Sequence, residues 1–368
     1  MRRQFLPAGR LAGLLVATLL AGATPAPAAR AGEPDPLFED GFETPPIVAP
    51  AGTWSFVPFA NAFCGNNTTT GIGINPSPNP ANNRVLLFLA GGGACWDATT
   101  CLVLQTAANF NTGYGAGNFN NDVAGLGAGF FDRASTGNPF RDYSYVFVPY
   151  CTGDVHAGDN VVSYSGQTRR HVGYANIGAY LERLVPTFRS AGRVVLAGAS
   201  AGGFGATLNW ERVQRAFGNV RVDMIDDSGT LMPASIVPPS NPNELLRASA
   251  WNLAATIPTG CTACANGLDN IYTYYATTLP NNRGALLSYR PDSTIAGFYQ
   301  ISQAAFSNGL NQVLPIHYDP FPSKRYFIAN GPGHVLFGTP GLVSGGVTLQ
   351  SFLNQMVNDD PAWSNVTP

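Results

Sequence analysis

The sequence predicts a doubly wound α/β protein: one mainly parallel sheet covered by helices on both faces, in a single domain with long loops. Three observations carry that prediction. Short β-rich runs recur that are apolar on both faces, as strands buried on both sides must be. Segments with apolar residues at three- and four-residue steps lie between them. The composition also suits a large, loop-rich globular core: 45% of the 368 residues are hydrophobic, 11% are charged, and 42 Gly and 29 Pro punctuate the chain. Average domains carry about 25% charge. So low a charge excludes a disordered chain, and the net charge of -2 gives none of the basic surplus expected of a nucleic-acid binder.

In chain order the strand candidates are Arg84–Ala90, Tyr143–Pro149, Arg193–Ala197, Arg221–Ile225, Ala285–Tyr289 and Arg325–Ala329. The helix candidates are Tyr174–Phe188, Gly203–Phe217, Thr294–Leu314 and Thr348–Val357. Ile177, Tyr180, Leu181, Leu184 and Val185 mark the buried face of the first, and Gly297 and Gly309 weaken the third. Gly113–Gly129 has no period and reads as a long surface loop. Its Gly127-Ala-Gly129 lacks the strand before and helix after that a dinucleotide motif requires. No phosphate-binding GxxxxGK[ST] occurs, and Lys324 is the chain's one lysine.

The first residues stand apart from this pattern. Arg2-Arg3, an apolar run from Leu11 to Ala23 and the small-residue exit Ala26-Pro27-Ala28 form the three parts of a secretory signal peptide. The organisation expected is therefore a signal peptide at 1–31, a flexible lead-in at 32–50 and the α/β domain at 51–368. Export places the chain outside the cytoplasm, in the extracellular or periplasmic space. No later run is long and apolar enough to span a membrane, and a monomer is expected. Removing residues 1–31 takes away Arg2, Arg3, Arg10 and Arg30 and no acid, leaving 16 basic and 22 acidic residues.

Export also governs how Cys64, Cys95, Cys101, Cys151, Cys261 and Cys264 are read: an even count in an oxidising compartment points to disulfides. Six cysteines allow fifteen pairings. Nearness favours Cys95 with Cys101 and Cys261 with Cys264, which leaves Cys64 with Cys151. Cys261-x-x-Cys264 has neither a second CxxC nor a nearby His, so no metal is expected, and no cofactor either.

Chemistry concentrates at Gly198-Ala-Ser200-Ala-Gly202, a G-x-S-x-G directly after one strand candidate and before one helix candidate. That is the setting of a nucleophile elbow, where a sharp turn lifts the serine Oγ above the sheet and tolerates only small neighbours. In α/β-hydrolases the acid and then the histidine follow the serine along the chain. His156 and His171 precede Ser200 and drop out. His334, in Asn330-Gly-Pro-Gly-His334 after the last strand candidate, is preferred to His317, which lies before it. Asp292, just past the strand Ala285–Tyr289, is the preferred acid, with Asp226 and Asp227 as alternatives. Gly91-Gly92-Gly93 after the first strand candidate, with the amide of Ala201, supplies N–H donors for a carbonyl oxygen that becomes negative.

Taken together, Leu89-Ala-Gly-Gly-Gly-Ala-Cys95 with Cys101, Pro149-Tyr-Cys-Thr-Gly-Asp154, Ala157-Gly-Asp159, Ala199-Ser-Ala-Gly-Gly203 and Asp227-Ser-Gly229 resemble the ordered blocks of the pectin acetylesterase (Notum) family. The resemblance runs from about Cys64 to His334. It implies an α/β-hydrolase-type serine carboxylesterase with Ser200, Asp292 and His334 as triad. It places Gly92, Gly93 and Ala201 at the oxyanion hole, and Cys95–Cys101 and Cys64–Cys151 at family disulfides. The implied substrate is an O-acetyl or other short acyl ester, on a polysaccharide such as pectin. Two other readings are an acyl or lipid deacylase on the same scaffold and a non-catalytic carbohydrate-binding protein. The chain departs from the family where Ala90 replaces a usual Glu and where Ser-Thr-Ile follows Asp292.

Overall fold

The computed structural model describes residues 44–123, 125–241 and 249–368. The expected signal peptide lies outside the described residues, as does most of the lead-in. Residues 44–50 of that lead-in pack against the domain: Ile47 is buried and its amide donates to Thr187 Oγ1 at 2.7 Å.

Twelve strands and seven α-helices are described. The strands are β1 (Ser55–Phe63), β2 (Thr69–Asn75), β3 (Arg84–Leu89), β4 (Ser144–Val148), β5 (Asn160–Tyr164), β6 (Gln167–His171), β7 (Arg193–Ala199), β8 (Val222–Asp227), β9 (Gly284–Arg290), β10 (Lys324–Asn330), β11 (Val343–Ser344) and β12 (Val347–Thr348). The helices are α1 (Ala116–Asp122), α2 (Gly173–Thr187), α3 (Ala201–Ala216), α4 (Asn270–Thr278), α5 (Ser293–Phe298), α6 (Gln303–His317) and α7 (Leu349–Val357).

Eight strands form the central sheet in the order β1-β2-β4-β3-β7-β8-β9-β10. All six strand candidates lie in its parallel part, from β4 to β10. Their side chains alternate between two cores, which is why the runs are apolar throughout. From β3 and β7, Val85, Leu87, Leu89, Val194 and Leu196 join the core shared with α2, α3 and α6. Leu86, Phe88, Val195, Ala197 and Ala199 join the other, shared with α7 and a phenylalanine-rich loop.

Elsewhere the structure differs from the sequence pattern for identifiable reasons. β1 and β2 form an antiparallel extension of the sheet. Pro58 hides β1 from strand patterning, and it is tolerated because β1 is an edge strand. Opposite it Gly71 is required, since a Cβ there would lie 2.0 Å from Val57 O. The expected long helix Thr294–Leu314 is two helices, α5 and α6, the second restarted by Ser302, whose side chain accepts from Ala305 N. The expected loop 113–129 contains α1. All three expected cysteine pairs are formed, the two near ones, Cys95–Cys101 and Cys261–Cys264, and the remaining Cys64–Cys151. Among the described residues no helix is long and apolar enough to cross a membrane.

The sheet order places the chemistry. From β3 the chain moves outward to β4, then returns to lay β7 on the other side of β3. Ligands of open α/β sheets bind beyond the carboxyl ends of the strands at such a switch point. Gly91–Gly93 leave β3 there, and Ser200 leaves β7.

Candidate active site

Ser200 sits between β7 and α3 with φ 59° and ψ −120°, a left-handed conformation that non-glycine residues rarely adopt. The turn is held from both sides. Ser200 N donates to Asp227 O at 2.7 Å, and Ser200 O accepts from Gly203 N at 2.8 Å. The glycines are sterically required: a Cβ on Gly198 would fall 2.0 Å from Gly202 O, and one on Gly202 would fall 1.9 Å from Leu89 O. The serine is mostly buried, 9% exposed.

The glycine run packs directly against this turn. A Cβ on Gly91 would lie 3.0 Å from Ser200 Cβ. Gly93 has φ +76° and backs onto Thr106 O, with the Phe298 ring close by. Among the backbone hydrogen bonds outside helices and strands of the described residues, none uses the amide of Gly92, Gly93 or Ala201 as donor. The Ala201 amide opens α3, where the helix dipole also favours negative charge. Beneath the run, His156 Nε2 meets Ala90 O at 2.8 Å. A carbonyl only accepts, so the imidazole donates there, and burial pushes its pKa down to about 4, keeping it neutral.

The structure brings His334 and Asp292, the expected base and acid, within hydrogen-bonding distance of each other. His334 Nδ1 is 2.7 Å from Asp292 Oδ2, with the carboxylate fully buried and the imidazole partly exposed. Asp292 is also the N-cap of α5, its Oδ1 accepting from Thr294 N and Ile295 N at 3.0 Å each. One carboxylate oxygen thus anchors to the helix while the other faces the imidazole. The loop bearing His334 is fastened by Ser293 Oγ, which donates to Pro332 O at 2.7 Å. Gly333 lies against the Tyr289 ring, where a Cβ would meet ring carbons at 2.7 Å.

The other candidates have different partners. His317 Nε2 pairs with Asp269 Oδ2 at 3.1 Å and its Nδ1 with Thr273 Oγ1 at 2.7 Å, on the helical layer. His171 Nδ1 donates to Thr152 O while Nε2 accepts from the Tyr164 hydroxyl, and burial lowers its pKa to about 4. Asp226 accepts from Gly229 N, Thr207 Oγ1 and Tyr272 OH, and burial pushes its pKa up to about 7. Asp227 accepts from the amides of Leu336 and Phe337, just past His334. The sequence offers Asp227 as an alternative acid; its place in the Asp227-Ser-Gly229 block is the signal there for another role. Among the described residues no group of three or more His, Cys, Asp or Glu could hold a metal ion.

A family model described as pectinacetylesterase matches residues 54–277, a span that holds Gly92, Gly93, Ser200 and Ala201 and ends before Asp292 and His334. Among curated relatives, the chain is similar to the palmitoleoyl-protein carboxylesterase NOTUM of Schmidtea mediterranea, 27% identical over 162 residues, covering 42% of this chain and 29% of that one. It is similar also to the palmitoleoyl-protein carboxylesterase notum2 of Xenopus laevis, 31% identical over 159 residues, covering 41% and 30%. The chain therefore spans about 30% of the length of these relatives. In fold it is similar to the solved structure of the Wnt deacylase Notum from Drosophila, with a TM-score of 0.60 at 18% identity over 84% of this chain and 94% of that one.

Proposed function

The chain belongs to the pectinacetylesterase family, and from that premise we propose that it is a serine carboxylesterase acting through an acyl-enzyme, with Ser200, His334 and Asp292 as its triad. The observation that carries the reading is the His334–Asp292 pair at 2.7 Å, in a chain whose Ser200 stands on a strained strand-to-helix turn. A carboxylate on Nδ1 keeps the proton there and leaves Nε2 free to act as a base. His334 takes the Ser200 proton as Oγ attacks the ester carbonyl. The amides of Gly92, Gly93 and Ala201 receive the developing oxyanion. His334 then delivers the proton to the leaving alcohol, and water hydrolyses the acyl-enzyme by the same steps. These side chains and amides suffice for the chemistry without a metal or cofactor.

The substrate we propose is an O-acetyl or other short acyl ester of a polysaccharide, met outside the cytoplasm after removal of residues 1–31. The mature chain would carry 16 basic and 22 acidic residues, so its overall field does not draw in a polyanion such as pectate and suits a neutral acylated glycan better. A second reading, a longer-chain acyl deacylase, is favoured by one observation: both curated relatives are named as palmitoleoyl-protein carboxylesterases. A panel of p-nitrophenyl esters from acetate to palmitate, run beside acetylated xylan and acetylated pectin, separates the two. The polysaccharide reading expects acetate release from xylan and a rate that falls with acyl length. A rate that climbs steeply with acyl length favours the deacylase. No turnover of any ester by folded protein would leave a carbohydrate-binding role instead.

A further inference from the structure

We infer that Asp227 and Ser228 are positioning residues that splint the His334 loop to the turn carrying Ser200, an inference that rests on the esterase reading and deepens it. Three non-glycine residues here hold left-handed backbone: Ser200 at φ 59°, Ser228 at φ 61° and Val335 at φ 63°. The last is β-branched, for which such a conformation is a true outlier. Strain of this kind persists only where surrounding bonds enforce it, and it gathers at functional sites.

Those bonds all converge on one dipeptide. Asp227 O accepts from Ser200 N at 2.7 Å. The Asp227 carboxylate accepts from Leu336 N at 2.9 Å, from Phe337 N at 2.7 Å and from Ser228 Oγ at 3.0 Å. Ser228 Oγ in turn accepts from Val335 N at 3.1 Å. Three successive amides after His334 are thus bound by two side chains, while the main chain of the same residue holds the elbow. Asp227 is completely buried, so water does not replace these bonds if they are removed. Phe337 continues the anchor into the core, its ring 4.8 Å from that of Phe130 and 5.2 Å from that of Phe88. With Ser293 gripping Pro332 on the other side, His334 hangs between two fixed points.

Asp227 makes no hydrogen bond to the imidazole, whose Nδ1 has Asp292, but its carboxylate lies close enough to His334 to interact with it electrostatically, so the hydrogen bonds to the loop have to be told apart from charge. That distinction sets the test. Asp227→Ala leaves the amides of Leu336 and Phe337 without acceptors. Asp227→Asn keeps one carbonyl oxygen that reaches both, with its NH2 turned toward Ser228 Oγ, a hydroxyl able to accept. Misplacing a reacting group by about 1 Å costs about 100-fold in rate, so Asp227→Ala should lose about that in kcat with KM little changed, and Asp227→Asn should recover most of it. Hydrogen exchange at 335–337 should accelerate in Asp227→Ala and stay near wild type in Asp227→Asn. If Asp227→Ala does not fold, Ser228→Ala, which removes only the Val335 acceptor, should still lower kcat and speed exchange at Val335. Unchanged exchange in the folded variants, or Asp227→Asn as inactive as Asp227→Ala, overturns the splint. A wild-type protein that turns over no ester sinks the esterase reading alone, since exchange at 335–337 still decides the splint.

Discussion

Asp292→Asn tests the proposed triad more sharply than deletion does, because the fold dictates which way the new amide faces. Asp292 Oδ1 accepts from Thr294 N and Ile295 N, and Oδ2 faces His334 Nδ1. An asparagine must choose which end to give to the two helix amides. Presenting its NH2 to them forfeits two hydrogen bonds of about 1 kcal/mol each and buries unmet donors at a further cost of about 1–3 kcal/mol. A difference of about 3–5 kcal/mol keeps that orientation at about 1% or less. The NH2 is therefore turned toward His334 Nδ1, which must accept, so the proton moves to Nε2 and the imidazole ceases to be a base toward Ser200. In the serine-protease template this wrong tautomer lowers kcat about 10⁴-fold, equivalent to about 5.5 kcal/mol of transition-state stabilisation. Asparagine is as good an N-cap as aspartate, so α5 and the stability of the protein should change little. The assay is p-nitrophenyl acetate hydrolysis beside thermal unfolding of the same preparation. An Asp292→Asn protein that keeps kcat within about tenfold of wild type would refute the assignment.

Two further predictions concern the frame around the site. Cys64–Cys151 closes a separation of 87 residues and ties the end of β1 to the loop after β4, so replacing both with Ser should cost about 4.6 kcal/mol by chain entropy. Urea unfolding measures it, and an unchanged midpoint contradicts it. Lys324 is buried, donates to Asn282 O at 2.7 Å and lies over the Trp210 ring, and burial pushes its ammonium pKa down to about 7. Between about pH 8 and 9.5 the folded chain has then shed a proton that the unfolded chain keeps until about 10.4, so stability rises with pH by about 1.4 kcal/mol per unit. Lys324→Met should flatten that rise, measured by urea unfolding at the two ends of the window. An equal slope in both proteins removes Lys324 as its source.

The parallel half of the sheet was legible because burial on both faces makes its strands continuous apolar runs, and five glycine and alanine positions around Ser200 announced the elbow. Chain order and positions just past strands are what marked His334 and Asp292 as candidates. What stayed hidden depends on tertiary partners. β1 reads poorly because Pro58 interrupts it, and only its position at the sheet edge makes that harmless. The break between α5 and α6 is set by Ser302 capping the second helix, a local signal outweighed by the apolar period running through both. The Asp227 carboxylate bonds amides more than a hundred residues away, a contact that no local pattern encodes.

The central claim is that Ser200 is an activated nucleophile, and covalent labelling with a fluorophosphonate tests it most directly. Intact-mass analysis should show one adduct on the folded protein, peptide mapping should place it on Ser200, and Ser200→Ala should abolish it while unfolding at the same temperature. Folded wild-type protein that takes no label, or takes it on another residue, contradicts the claim.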